Sequence, residues 1–209
     1  MFCGRNVLVG VVLVAATAFL LAADDKKTEG GAAAGEDNAA MAAKMMETWM
    51  KLGQPGKEHE RLKMLEGKFD ADVTMQMMPG MPEEKSKGTA DNKTLFDGRY
   101  LMGEYKGTFG GQPFEGHQLF GYDNAKKKYF SGWIDSMSTM VMMSEGDADS
   151  SGKVITTKCE MTCPVTNKPM KSRMVLTIED ADHHTFESYS SLDGSPEHKS
   201  MTIKYTKAK

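Results

Sequence analysis

From Gly67 onward, apolar residues recur at every second position. In FDADVTMQM, Phe69, Ala71, Val73, Met75 and Met77 alternate with Asp70, Asp72, Thr74 and Gln76. Successive side chains of a strand point to opposite faces, so this pattern predicts a strand buried on one side. The alternation returns in MKSRMVLTI, where Met170, Met174, Leu176 and Ile178 oppose Lys171, Arg173 and Thr177. It returns again at the end, where Met201, Ile203 and Tyr205 oppose Thr202, Lys204 and Thr206. Turn-forming clusters separate the runs: Pro79-Gly80-Met81-Pro82, Asp97-Gly98, Gly110-Gly111-Gln112-Pro113, Asp123-Asn124, Ser151-Gly152, Asn167-Lys168-Pro169, Asp180-Ala181-Asp182 and Asp193-Gly194. With one more bend at Ser136-Met137-Ser138, they divide residues 67–209 into about ten strands at hairpin spacing. No helical pattern lies between them to carry a parallel crossover. A meander with one apolar face has two exposed edges, and closure removes both. The predicted fold is all-β, an antiparallel up-and-down β-barrel, with a two-sheet sandwich as the alternative.

The pattern before Gly67 is different. AAMAAKMMETWMKL, Ala39 to Leu52, consists mainly of strong helix formers and stops at Gly53-Gln54-Pro55-Gly56. A second short helix is expected from Lys57 to Leu65, so residues 39–66 form an N-terminal helical segment. DDKKTEGGAAAGEDN, residues 24–38, holds charged residues, Gly and Ala with only Thr28 and Asn38 besides, and is expected to be a disordered linker. Residues 1–23 combine Arg5, an apolar run from Val7 to Leu21 and the small pair Ala22-Ala23. That is the pattern of a secretory signal peptide cleaved near Ala23. The run is shorter than the ~20 apolar residues of a spanning helix, which leaves an uncleaved anchor as the weaker alternative. The expected location is the periplasm or the exterior.

Charge and cysteine content narrow the function. The net charge is −3, and loss of Arg5 with the leader lowers it by one. Lys and Glu are interspersed, which argues against a nucleic-acid surface. Cys159 and Cys163 remain in the mature chain, where export permits a disulfide. Extended chain would hold their Cα atoms ~13 Å apart, so a bridge requires a turn between them.

Reaction signatures are missing. The chain contains no Gly-x-Ser-x-Gly and no His-Glu-x-x-His. The glycines from Gly107 to Gly116 join two strands rather than opening a helix, unlike a phosphate loop. His183 and His184 are adjacent, which on a strand sends them to opposite faces and excludes a chelating pair. A non-enzymatic protein is expected.

The stretch GQPFEGHQLFGYDNAKKKYFSGWIDSMST resembles a bacterial family known as domain of unknown function 1579. The likeness runs from HERLKMLEGKFDADV through Arg99-Tyr100-Leu101-Met102 and SEGDADSSGKV to NKPMKSRMV and the final strand. The resemblance implies a barrel of the lipocalin and fatty-acid-binding (calycin) type, preceded by a short helix. It brings no catalytic residues with it. Gly67-Lys68-Phe69 resembles the Gly-x-Trp entry of lipocalins, with Phe69 in place of Trp.

A barrel lumen would bind a small apolar molecule, and the candidate contacts follow from strand parity. Tyr129, Ser131, Trp133 and Asp135 share one face, and the preceding strand offers Glu115, His117 and Leu119 on one face. Trp133, Asp135, His117 and Tyr129 are the predicted ligand contacts, a few polar groups among apolar ones. The bland alternative makes Trp133 a core plug and Asp135 a cap of the bend. Two further readings stay open. Met140, Met142, Met143, Cys159 and Cys163 are thioether and thiol ligand types that select Cu(I). A filled barrel would instead be a structural or partner-binding envelope domain.

Overall fold

The computed structural model describes residues 31–163 and 165–209, leaving aside the side chains of 31–36. Two helices, α1 (Gly31–Leu52) and α2 (Lys57–Lys63), precede ten strands. These are β1 (Gly67–Met75), β2 (Glu84–Leu95), β3 (Tyr100–Phe109), β4 (Gln112–Asp123), β5 (Lys128–Asp135), β6 (Met142–Ala148), β7 (Val154–Thr162), β8 (Pro169–Ile178), β9 (His183–Leu192) and β10 (His198–Lys207). Each strand pairs antiparallel with its sequence neighbours, and β1 pairs with β10 from Phe69↔Lys207 to Met75↔Met201, closing the barrel. The sandwich alternative is excluded by that closure.

Two sequence expectations change. The expected leader, residues 1–23, and the first part of the expected linker lie outside the described residues. α1, however, begins at Gly31, inside the segment 24–38 expected to be linker. Ala32, Ala33 and Ala34 are the best helix formers, and a helix already nucleated beyond Ala39 extends back through them at little cost. The bend expected at Ser136-Met137-Ser138 extends through Val141, and the returning strand β6 starts only at Met142.

The chain divides into two compact units, one ending at Met45 and the other spanning Met46–Lys209. Within the second, the end of α1 is tied to the barrel loops. Asn124 Nδ2 donates to the carbonyls of Leu52 (2.7 Å) and Gln54 (2.8 Å), and Arg99 Nε donates to that of Gly53 (2.8 Å).

In a closed meander, alternate hairpin loops lie at opposite ends. α2 closes the end shared by the β2–β3, β4–β5, β6–β7 and β8–β9 loops. The Gly56 amide donates to His59 Nδ1 at 3.0 Å, and the His59 ring meets Tyr122 edge-on at 5.8 Å. Leu62 and Leu65 pack on Leu101, Phe120, Tyr129, Ile155 and Ile178, contributed by five different strands. Asn92 Nδ2 donates to the Leu65 carbonyl at 2.9 Å and holds the chain as it enters β1. That end is sealed by an apolar plug.

Candidate ligand-binding site

Above the plug the barrel is not filled. A cavity of about 580 Å³ runs along the lumen and opens at the other end, where Met77, Met137 and Ser138 line it from the β1–β2 and β5–β6 loops. That volume lies within the ~300–1,000 Å³ of small-molecule pockets.

The lining is zoned along the barrel axis. Near the mouth it is rich in methionine: Met75, Met142, Met161, Met170 and Met201 come from five strands. The middle carries neutral hydrogen-bonding groups. Gln118 Nε2 donates to Ser131 Oγ (2.9 Å) and Ser144 Oγ to Thr157 Oγ1 (3.1 Å); closer to the mouth, beside Met201, the Ser190 and Ser200 hydroxyls lie 3.2 Å apart. At the inner end stand His184, Tyr205 and Leu176, beside the plug residues Leu65, Phe120 and Ile155. No Lys or Arg lines the cavity among the described residues.

Trp133 and Asp135 line the lumen near its mouth, as strand parity predicts. The indole lies nearly parallel to Phe114 (6.4 Å, 21°) and its Nε1 donates to Asp135 Oδ2 at 3.1 Å. Asp135 Oδ1 in turn accepts the Met137 amide at 2.9 Å. Asp135 therefore caps the bend and orients the indole at once. Gly116, across on β4, makes room for the ring: a Cβ there would overlap the six-membered part of Trp133. Gly116→Ala is expected to displace the indole and change its fluorescence while the barrel still forms, as judged by circular dichroism.

Two predicted contacts are corrected. His117 points outward, paired with the exposed Ile134, because the inward residues of β4 are Phe114, Gln118 and Phe120. Glu115, His117 and Leu119 therefore share the outer face of β4. Tyr129 faces inward but belongs to the plug rather than the cavity wall. Its ring meets Tyr122 at 4.9 Å, Arg61 donates to its hydroxyl at 3.5 Å, and burial raises its pKa.

The proposed soft-metal set is also split by the wall. Met142 lines the lumen, whereas Met140 and Met143 are exposed. Cys159 is buried beside Ser172, and burial pushes its thiol up. Cys163 is free as well, and no disulfide joins the two, because β7 stays extended through Thr162. These five residues do not converge on one ion. Among the described residues, no helix is long and apolar enough to cross a membrane.

Residues 54–207 match the family described as protein of unknown function (DUF1579). The chain belongs to this family. No curated protein matches it. Among fourteen similar chains of solved structure is Rv2717c from M. tuberculosis, with a TM-score of 0.53 and 11% identity over 75% of this chain and 100% of that one. The likeness is one of fold.

Proposed function

We propose that this protein is a non-enzymatic carrier that holds a small, uncharged, mainly apolar molecule in the barrel lumen, and that it acts outside the cytoplasm. The observation that carries the reading is the lumen itself, open at one end, plugged by α2 at the other and lined by methionine, aromatic and neutral hydroxyl side chains. Flexible thioethers adapt to irregular apolar shapes, which suits an entrance. An anionic head group would be buried there without a counter-cation, at a cost of roughly several kcal/mol for the unpaired ion.

Trp133 provides the test. The other tryptophan, Trp49, is 63% exposed on α1, and Trp49→Phe removes it without touching the lumen. In that background, titration with long-chain alcohols, fatty acids, quinones and haem is expected to give a saturable change in indole emission for at least one class. Trp133→Leu should weaken binding more than it weakens the fold. A destabilised Trp133→Leu protein, with no saturable response of the parent to any of these compounds, would identify the indole as core packing and end the carrier reading.

Export rests on the Arg5, apolar-run and Ala22-Ala23 pattern. N-terminal sequencing of protein from the envelope fraction is expected to start near Asp24. Recovery of an intact Met1 there would overturn it.

A further inference from the structure

One polar side chain of the lumen stands apart from the rest. Gln118, Ser131, Ser144, Thr157, Ser190 and Ser200 all find hydrogen-bond partners in the wall. His184 finds none among the described residues, although it is only 5% exposed. Its ring is instead fixed by two aromatic neighbours. It stacks on Tyr205, its cross-strand partner, at 4.4 Å and 16°, and meets Phe69 edge-on at 4.6 Å and 80°. No fully occluded side-chain nitrogen or oxygen in the described chain lacks a partner, so the small accessible part of His184 includes its ring nitrogens. The residue lines the cavity, and its position near the start of β9 puts those nitrogens at the inner end.

We propose that His184 is the hydrogen-bonding anchor at the inner end of the lumen, for an uncharged ligand whose apolar body carries a terminal hydroxyl or carbonyl. This rests on the lumen being a binding site. Once an apolar ligand body has displaced water from the inner end, a ring nitrogen left without a partner there is costly, and a ligand head group that pairs with it avoids that cost. A neutral imidazole presents one donor and one acceptor, so it can serve either head group. Burial holds this imidazole neutral, with its pKa lowered to about 4. A carboxylate head would meet no Lys or Arg in the lining, and an alkane would leave the imidazole unpaired. The clamp between Phe69 and Tyr205 fixes the ring plane before the ligand arrives, so little ordering remains to be done on binding.

The experiment uses the full-length chain and displacement of N-phenyl-1-naphthylamine, a neutral fluorescent probe, by tetradecanol, tetradecanoate and tetradecane. His184→Phe is expected to weaken tetradecanol about tenfold, the loss of one buried hydrogen bond, and to leave tetradecane unchanged. His184→Gln, which keeps a neutral donor and acceptor, is expected to retain most of the alcohol affinity. A readout free of substitution accompanies these: the His184 imidazole resonances of the unmodified protein should shift with tetradecanol and not with tetradecane. If the three compounds bind alike and His184→Phe changes none of them, the carrier reading stands and the anchor is lost. Tightest binding of tetradecanoate would overturn the uncharged head group. If neither the probe nor any compound enters, both readings fall together.

Discussion

Replacing Leu62 with Ala is expected to lower the stability of the barrel by about 2–5 kcal/mol, the usual range for emptying a sealed leucine site. Leu62 is 0% exposed and sits where residues of β3, β4, β5, β7 and β8 converge. Its helix, α2, has seven residues, well below the ~12–15 at which an isolated helix becomes even marginal in water. Packing, not propensity, holds α2 in place. The truncation therefore removes transfer energy, leaves a void among residues fixed by the sheet, and loosens the element plugging that end. Chemical denaturation should show a lower midpoint with a nearly unchanged slope. Leu62→Met, which roughly conserves volume, should cost less than ~1.5 kcal/mol. A loss below ~0.5 kcal/mol for Leu62→Ala would mean that α2 is an appendage and that the barrel closes its end without it.

How far the fold and site are legible in the sequence differs from strand to strand. β1, β8 and β10 announce themselves by period-two patterning, since each alternates apolar residues toward the lumen with charge toward water. β2 does not. Its sequence EKSKGTADNKTL offers only Ala90 to the core, and turn spacing alone marks it as a strand. Its inward positions Gly88 and Asn92 serve neighbours instead: a Cβ at Gly88 would overlap the Tyr105 hydroxyl, and Asn92 holds the turn into β1. The register of β4 misleads for a related reason. His117 and Glu115 look like binding residues by type, and inward Gln118 looks like surface. Only the pairing of Gln118 with Trp133 resolves which face is which. The neutral middle zone of the lumen was hidden because serine and threonine are read as outward residues when they stand among lysines. Ser172 in MKSRMVLTI occupies an inward position between Met170 and Met174, so the parity of its neighbours could have revealed it. The Cys159 and Cys163 question had a local answer too: Val154 to Thr162 alternates well enough to stay extended, and extension keeps the thiols apart.

Acidification is expected to destabilise this protein between about pH 6.5 and pH 4, and His184 should account for most of the loss. The imidazole has an ordinary pKa of 6.5 in the unfolded chain and about 4 in the folded one, because burial disfavours its charged form. The groups that face it are Phe69 on β1, Tyr205 on β10 and its register partner Ile178 on β8, none of them charged at neutral pH. Below pH 6.5 the unfolded state takes up a proton that the folded state refuses. Stability is therefore complete above 6.5, falls as the pH drops toward 4, and levels off for this group once both states are protonated. The displacement between the two pKa values corresponds to about 3 kcal/mol. His59, also lowered chiefly by burial, adds in the same direction. The carboxylates with lowered pKa, such as Glu187 beside Lys199 and Glu197 beside Arg173, lose their contribution at lower pH still, below the ordinary carboxylate value of 4.5. Urea midpoints measured from pH 7.5 to pH 4.5 should fall steadily in the unmodified protein, while His184→Gln should flatten most of that slope. A slope unchanged by the substitution would show that the His184 ring accepts a proton in the folded state. In that case the inner end of the lumen would be open to water, and an uncharged ligand head would gain little by pairing there.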